Sequence, residues 1–258
     1  MSILEIKSLS KNFGGLSAVL DVDITLEKGE LVGLIGPNGA GKTTVFNLLT
    51  GVYPVSAGKI IFSDADQSTN IENCKPYIIA NLGITRTFQN IRLFKKLTVL
   101  DNVKIAMHKK CRYSFISAVL RLPVYYSQEA EVDERAKALL AEVGLADKVA
   151  FIAENLSYGE QRRLEIARAL ATEPKLLFLD EPAAGMNPQE TAQLTGLIKT
   201  IRDKYNLTVL LIEHDMSVVM KVCERIYVLD YGSIIAEGKP EDIKHNRKVI
   251  EAYLGGDI

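Results

Sequence analysis

The chain has 258 residues, 47% hydrophobic and 24% charged, with 31 Lys and Arg against 32 Asp and Glu for a formal net charge of −1. That length supports a substantial core, and the near-neutral charge gives no electrostatic case for a nucleic-acid partner. No apolar run approaches the length that spans a bilayer, and the start Met1-Ser2-Ile3-Leu4-Glu5-Ile6-Lys7 lacks a secretory-signal pattern, so the chain is expected to stay in the cytoplasm.

From Ile3 to about Phe62, alternating segments such as Val22-Asp23-Ile24-Thr25-Leu26 flank a different unit, which predicts a partly antiparallel sheet beside it. That unit begins with the buried-strand run Glu30-Leu31-Val32-Gly33-Leu34-Ile35. It continues as Gly36-Pro37-Asn38-Gly39-Ala40-Gly41-Lys42-Thr43, which matches G-x-x-x-x-G-K-[ST] at every fixed position, and a helix carrying Val45, Leu48 and Leu49 follows until Gly51. The glycines let backbone N–H groups turn around a β-phosphate, and the helix start adds partial positive charge. Lys42 can then reach the β- and γ-phosphates and the Thr43 hydroxyl can ligate Mg²⁺. A chance glycine turn would not need the strand and the helix on either side.

From Asn90 to about Asn155 the pattern becomes mainly helical, most clearly over Glu131 to Val143, where Val132, Ala136, Leu139, Leu140 and Val143 share one face and Gly144 stops the helix. Within this stretch the segment from Tyr113 to Tyr126 is unusually apolar, with Lys109, Lys110 and Arg112 before it. Filling a core is its commoner use, and docking on a partner or on the inner membrane face is the other. The hexad Leu156-Ser157-Tyr158-Gly159-Glu160-Gln161 follows. Ser157 and Glu160 are spaced as a capping box, so a helix with an exposed, anion-attracting start is expected through Leu164, Ala167, Leu170 and Ala171 to Pro174.

Lys175-Leu176-Leu177-Phe178-Leu179-Asp180-Glu181 reads as a second buried strand ending in two carboxylates. Asp180 is placed to hold Mg²⁺, and Glu181, one residue further on, to polarise an attacking water. Alone, the pair could as well cap the turn at Pro182; a phosphate loop upstream favours the catalytic reading. After Ala183-Ala184-Gly185-Met186, Asn187 is expected as N-cap and Pro188 as first residue of a helix to Tyr205. A third strand, Leu207-Thr208-Val209-Leu210-Leu211-Ile212, delivers Glu213-His214-Asp215 to the same sheet edge, with His214 a candidate γ-phosphate sensor and Asp215 a cap for a helix through Val218, Val219 and Val222. Cys74, Cys111 and Cys223, like His108 and His245, form no constellation.

In this order these motifs resemble the ATP-binding cassette of ABC transporters over nearly the whole chain. The resemblance implies an α/β fold: a P-loop NTPase (RecA-like) core with a mainly parallel sheet, an N-terminal antiparallel β subdomain and an inserted α-helical signature subdomain. It is expected as one domain over 1–258, the nucleotide core being 1–89 with 175–258, the helical subdomain 90–174 and a C-terminal extension 232–258. It further implies that Gln89, in Thr85-Arg86-Thr87-Phe88-Gln89-Asn90, touches Mg²⁺ and the attacking water, and that Phe13 stacks on adenine, although a core or hairpin role suits Phe13 nearly as well. Gly36 through Thr43, with Thr44, would then hold the phosphates of ATP, while Ser157 and Gly159 face the ATP of a partner subunit in a head-to-tail dimer. Tyr158 and Glu160 depart from the commonest family hexad, which has glycine and glutamine there.

Arg86-Thr87-Phe88-Gln89, Leu156-Ser157-Tyr158-Gly159 with Arg162-Arg163-Leu164-Glu165, Glu181-Pro182-Ala183-Ala184-Gly185-Met186-Asn187-Pro188 and the tail from Ile234 to Gly255 are similar to ATP-binding subunits of branched-chain amino acid importers. That kinship implies an ATPase at the cytoplasmic face of the membrane, paired with itself or a second ABC ATPase. Two permease subunits and, indirectly, an extracytoplasmic solute-binding protein would complete the assembly. Another solute, lipopolysaccharide export, a soluble cassette acting on ribosomes or DNA, and a regulator without turnover stay open as alternatives.

Overall fold

The computed structural model of the chain describes residues 1–65, 67–107 and 123–254. His108, Cys111, Gly255 and the part of the apolar segment from 113 to 122 lie outside the described residues. The chain divides into two units, residues 1–89 with 175–258 and residues 90–174.

In the first unit, β1 (Ser2–Phe13) and β2 (Leu16–Glu27) form a hairpin, and β4 (Ala57–Asp64) and β5 (Gln67–Asn70) extend it into an antiparallel sheet of order β2-β1-β4-β5. Ile3, Leu4, Ile6 and Leu9 of β1 and Val19, Val22, Ile24 and Leu26 of β2 are buried, as expected of strands with one face in the core. The other sheet contains β3 (Leu31–Ile35), β6 (Ile84–Arg86), β7 (Leu176–Asp180), β8 (Thr208–Ile212), β9 (Arg225–Asp230) and β10 (Ser233–Gly238), in the order β10-β9-β3-β8-β7-β6. All its pairings are parallel except that of the edge strand β10. Every residue of β3, β7 and β8 is buried, because a parallel sheet is covered on both faces.

The helices of this unit are α1 (Lys42–Leu49), α2 (Pro76–Asn81), α6 (Pro188–Tyr205), α7 (Met216–Val222), α8 (Pro240–Lys244) and α9 (Arg247–Leu254). The local signals for two of them hold in detail. Asn187 and Glu190 form a reciprocal capping box with Pro188 opening α6, and the Asp215 carboxylate accepts the Ser217 N–H at 2.8 Å to start α7. In the core, the fully buried rings of Phe46 on α1 and Phe178 on β7 lie 5.2 Å apart, which fixes α1 against β7.

The second unit holds α3 (Val99–Met107), α4 (Pro123–Glu142), two short 3₁₀ turns at Ala146–Lys148 and Ala153–Asn155, and α5 (Tyr158–Ala171). Ala136, Leu139, Leu140 and Val143 are buried on the face read from the sequence, and among the described residues α4 extends eight residues before the clearest periodicity, to Pro123. Its first turn exposes Val124 and Tyr126. Residues 90–98 form no helix, so the helical character of this unit starts later than the pattern suggested.

The β9–β10 turn is Asp230-Tyr231-Gly232-Ser233, with φ of 41° at Tyr231 and 81° at Gly232, the double positive φ of a type I′ turn. Such turns favour Asn or Gly first, and the Tyr231 side chain is 91% exposed, so it gains little by packing. Tyr231→Asn is expected to stabilise the fold by about 0.5–1 kcal/mol, visible as a rise of about 1–4 °C in the midpoint of a thermal melt.

Candidate active site

The parallel register brings the proposed chemistry to one edge of the sheet. Leu34 lies opposite Ile212 in the β3–β8 pair, and Asp180 lies opposite Ile212 in the β7–β8 pair. The chain therefore leaves β3 into Gly36, β7 into Glu181 and β8 into Glu213-His214 at neighbouring points. In parallel sheets this carboxyl edge is where ligands bind.

At the first of these exits the loop is packed tightly against the backbone of β2 and β9. A Cβ on Gly36 would fall 1.9 Å from the Leu229 carbonyl oxygen, and one on Gly41, at φ 105°, 2.5 Å from that of Ala18, so neither position admits a side chain. Asn38, Gly39 and Thr43 are exposed, Pro37 and Thr44 half-buried, and Ala40 buried. The Lys42 ammonium donates to the carbonyl oxygens of Gly36 at 2.7 Å and Pro37 at 2.8 Å. Burial lowers its pKa, while Glu181 and Asp180 nearby oppose the shift. Lys42 is thus held by its own loop, in the field of both carboxylates.

At the second exit, Asp180 is almost fully buried and its Oδ2 accepts from Arg86 Nη2 at 2.6 Å. Glu181 has φ 45°, a left-handed conformation costing a non-glycine residue about 1–3 kcal/mol and found most often where function needs it. Its N–H donates to the Ile212 carbonyl at 2.9 Å, and its Oε2 accepts from Gln89 Nε2 at 2.8 Å and lies 3.8 Å from His214 Nδ1. Gln89, Glu181 and His214, three residues widely separated in sequence, are therefore gathered around one carboxylate oxygen. Thr43, Gln89 and Asp180 offer a hydroxyl, a carboxamide and a carboxylate, the hard oxygen donors that suit Mg²⁺ carried in with phosphates.

Phe13 ends β1 with its ring 42% exposed, edge-on to Tyr53 at 5.3 Å and with Lys11 Nζ 5.0 Å from its centroid. That exposure excludes the core role and leaves ring surface open.

Comparison with known proteins decides the family. Residues 19–184 match the family model described as ABC transporter, and residues 233–258 that described as branched-chain amino acid ATP-binding cassette transporter. The chain belongs to the ABC transporter family. The high-affinity branched-chain amino acid transport ATP-binding protein LivG of Escherichia coli (strain K12) is 46% identical over 253 residues, 98% of each chain. The lipopolysaccharide export system ATP-binding protein LptB of the same organism is 38% identical over 258 residues, 100% of this chain and 99% of its own. A solved ATP-binding cassette of an ABC transporter in its ADP conformation superposes with a TM-score of 0.83 at 32% identity, covering 99% of each chain. The chain is thus an ABC ATPase with the expected α/β cassette fold.

The second unit carries the hexad of this ABC cassette. Ser157 is the exposed N-cap of α5: its hydroxyl accepts the Glu160 N–H and Glu160 returns a bond to the Ser157 N–H at 3.0 Å. Gly159 is buried in the first turn. The two departures from the usual ABC hexad each have a local partner. Glu160 pairs with Lys148, and the Tyr158 ring lies over the fully buried Arg162, which donates to its hydroxyl at 3.3 Å and pairs with Glu165 at 2.7 Å. Among the described residues no helix is long and apolar enough to cross a membrane.

Sequence reasoning missed Arg86, Arg162 and Glu213, whose significance is tertiary. Glu213 is fully buried at the end of β8; its Oε1 accepts the Ala183 N–H at 2.8 Å, while Oε2 is buried with no partner among the described residues. It thus ties the turn after Glu181 to the segment bearing His214.

Burial pushes the Glu213 carboxyl above its ordinary 4.5, against the Ala183 N–H that lowers it. A raised folded-state pKa means that its contribution to stability is full below pH 4.5 and is lost as pH rises through the folded value. Glu213→Gln keeps an acceptor for Ala183 and removes the charge, so stability should fall less steeply with pH above 4.5 than in the parent chain. Denaturant midpoints collected from about pH 4 to about pH 8 check this.

Proposed function

We propose that this ABC ATPase powers the import of branched-chain amino acids. It works at the cytoplasmic face of the membrane on two separate permease subunits, to which an extracytoplasmic binding protein delivers solute. The ATPase reading is carried by the single carboxylate of Glu181, held by Gln89 and faced by His214 beside the phosphate loop. The solute rests on kinship: the relatives named for branched-chain amino acid transport, and the match over residues 233–258.

In this reading the Lys42 ammonium exchanges the Gly36 and Pro37 carbonyls for the β- and γ-phosphate oxygens of ATP, and the backbone N–H groups from Gly36 to Thr44 surround the β-phosphate. The open face of Phe13 takes the adenine. Thr43, Asp180 and Gln89 would hold Mg²⁺, which when bound would supply charge neutralisation at the phosphates. Glu181 orients the attacking water and draws off its proton, Gln89 fixes the carboxylate in place, and the His214 ring faces the γ-phosphate. Ser157 and Gly159, at the positively polarised start of α5, serve the ATP held by a second cassette, either another copy of this chain or a related ATPase. Two such sites close head to tail, and their closure moves the permeases.

Glu181→Gln retains ATP binding but lowers steady-state hydrolysis by about 10²–10⁴-fold, and it accumulates an ATP-dependent dimer measurable by gel filtration. Hydrolysis near the parent rate would remove Glu181 from this role. Deleting the chain from its host should abolish uptake of labelled leucine, isoleucine and valine; intact uptake of all three would sink the solute assignment and favour an export role such as that named for the 38% identical relative.

A further inference from the structure

Arg86 has no place in the mechanism above, yet it is the most heavily engaged side chain beside it. Its guanidinium is 9% exposed. Nη2 donates to Asp180 Oδ2 at 2.6 Å, and Nη1 donates to Asn47 Oδ1 at 2.7 Å and to Thr50 Oγ1 at 3.4 Å, both on or just after α1. The rings of Phe46 on α1 and Phe88 each lie with their centroids 5.5 Å from the guanidinium carbon. One cation thus joins the helix that follows the phosphate loop, the carboxylate at the end of β7 and the strand that leads within three residues to Gln89. Its Nε is buried with no partner among the described residues, so the group is held here at a cost in unmet hydrogen bonding.

Asp180 is buried, and the Arg86 guanidinium is its ion-pair partner at 2.6 Å. The planar guanidinium engages Oδ2 while its other arm is fixed on Asn47, which sets the rotation of the carboxylate and leaves Oδ1 outside the ion pair. Groups standing behind a metal ligand in this way orient it.

We propose that Arg86 is the positioning residue for the metal-binding carboxylate, holding Asp180 turned so that Oδ1 is left to meet the hydration shell of the Mg²⁺ that accompanies ATP. The proposal rests on the reading of Asp180 as a metal ligand. It also gives the segment before Gln89 a direct hold on the metal site, because any shift of β6 carries Arg86 with it.

The test compares the full-length parent, Arg86→Met, Arg86→Lys and Asp180→Asn by two readouts that do not involve turnover. Affinity for a fluorescent ATP analogue is measured in EDTA and in Mg²⁺, and Mn²⁺ binding to the ATP complex is titrated by electron paramagnetic resonance. Arg86→Met is expected to leave the EDTA affinity close to the parent value and to raise the Mn²⁺ concentration for half-saturation by about 10–100-fold, with Arg86→Lys in between. Combining Arg86→Met with Asp180→Asn should weaken Mn²⁺ no further than Asp180→Asn alone, since Arg86 acts through that carboxylate. Unchanged or tighter Mn²⁺ binding in Arg86→Met overturns the proposal, the second by making Arg86 a competitor of the metal. Equal losses in EDTA and in Mg²⁺ overturn it in favour of a purely architectural role. Should Asp180→Asn itself retain the metal-dependent gain, the ligand reading fails and the proposal with it, whereas loss in Asp180→Asn with none in Arg86→Met rejects Arg86 alone. If Arg86→Met does not fold, Arg86→Lys decides by the same comparison.

Discussion

The burial of β3, β7 and β8 on both faces is the constraint from which the rest of the site follows. Strands made wholly of buried residues have no freedom to slide, since any slip moves apolar side chains out of their layers and leaves ladder hydrogen bonds unmade. With that register held, the residues just past the strand ends are set against one another by the sheet itself. Glu181 is fastened directly to it through the Ile212 carbonyl, in a backbone conformation that a free chain would avoid.

Around this edge the protein arranges its charges in two contrasting ways. Asp180 is buried against the Arg86 guanidinium, whose other terminal nitrogen donates to Asn47 on α1. Glu213 is buried with one backbone N–H and no cation among its hydrogen-bond partners, an environment that favours its protonated form. The first carboxylate is fixed by a side chain from a neighbouring strand, and the second is a strut between two loops. Both belong to the same sheet edge, and carboxylate chemistry alone does not tell them apart.

Much of the fold was legible because its local signals agree with its global pattern. Ser157 with Glu160, Asn187 with Pro188, and Asp215 lie at helix starts that the residues themselves signal, so local sequence located α5, α6 and α7. The strands β3, β7 and β8 were legible as unbroken apolar runs. The stretch of α4 before Glu131 was not, because it lacks a consistent apolar stripe and carries exposed Val124 and Tyr126. Tyr158 read as a departure from a family pattern and Glu160 as a helix cap as well; that Arg162 and Lys148 are their further partners shows only in the folded chain.

The sequence by itself determined the class of chemistry, since a phosphate loop between a strand and a helix, followed by carboxylates and a histidine at later strand ends, needs only short-range order to be recognised. It determined the family for the same reason. What only the tertiary structure decided is which side chains share an oxygen or a charge: Gln89 and His214 about Glu181, Arg86 on Asp180, Ala183 on Glu213. Those contacts join residues 30 to 94 positions apart, and such pairs are set by strand order and register, which no local spacing encodes.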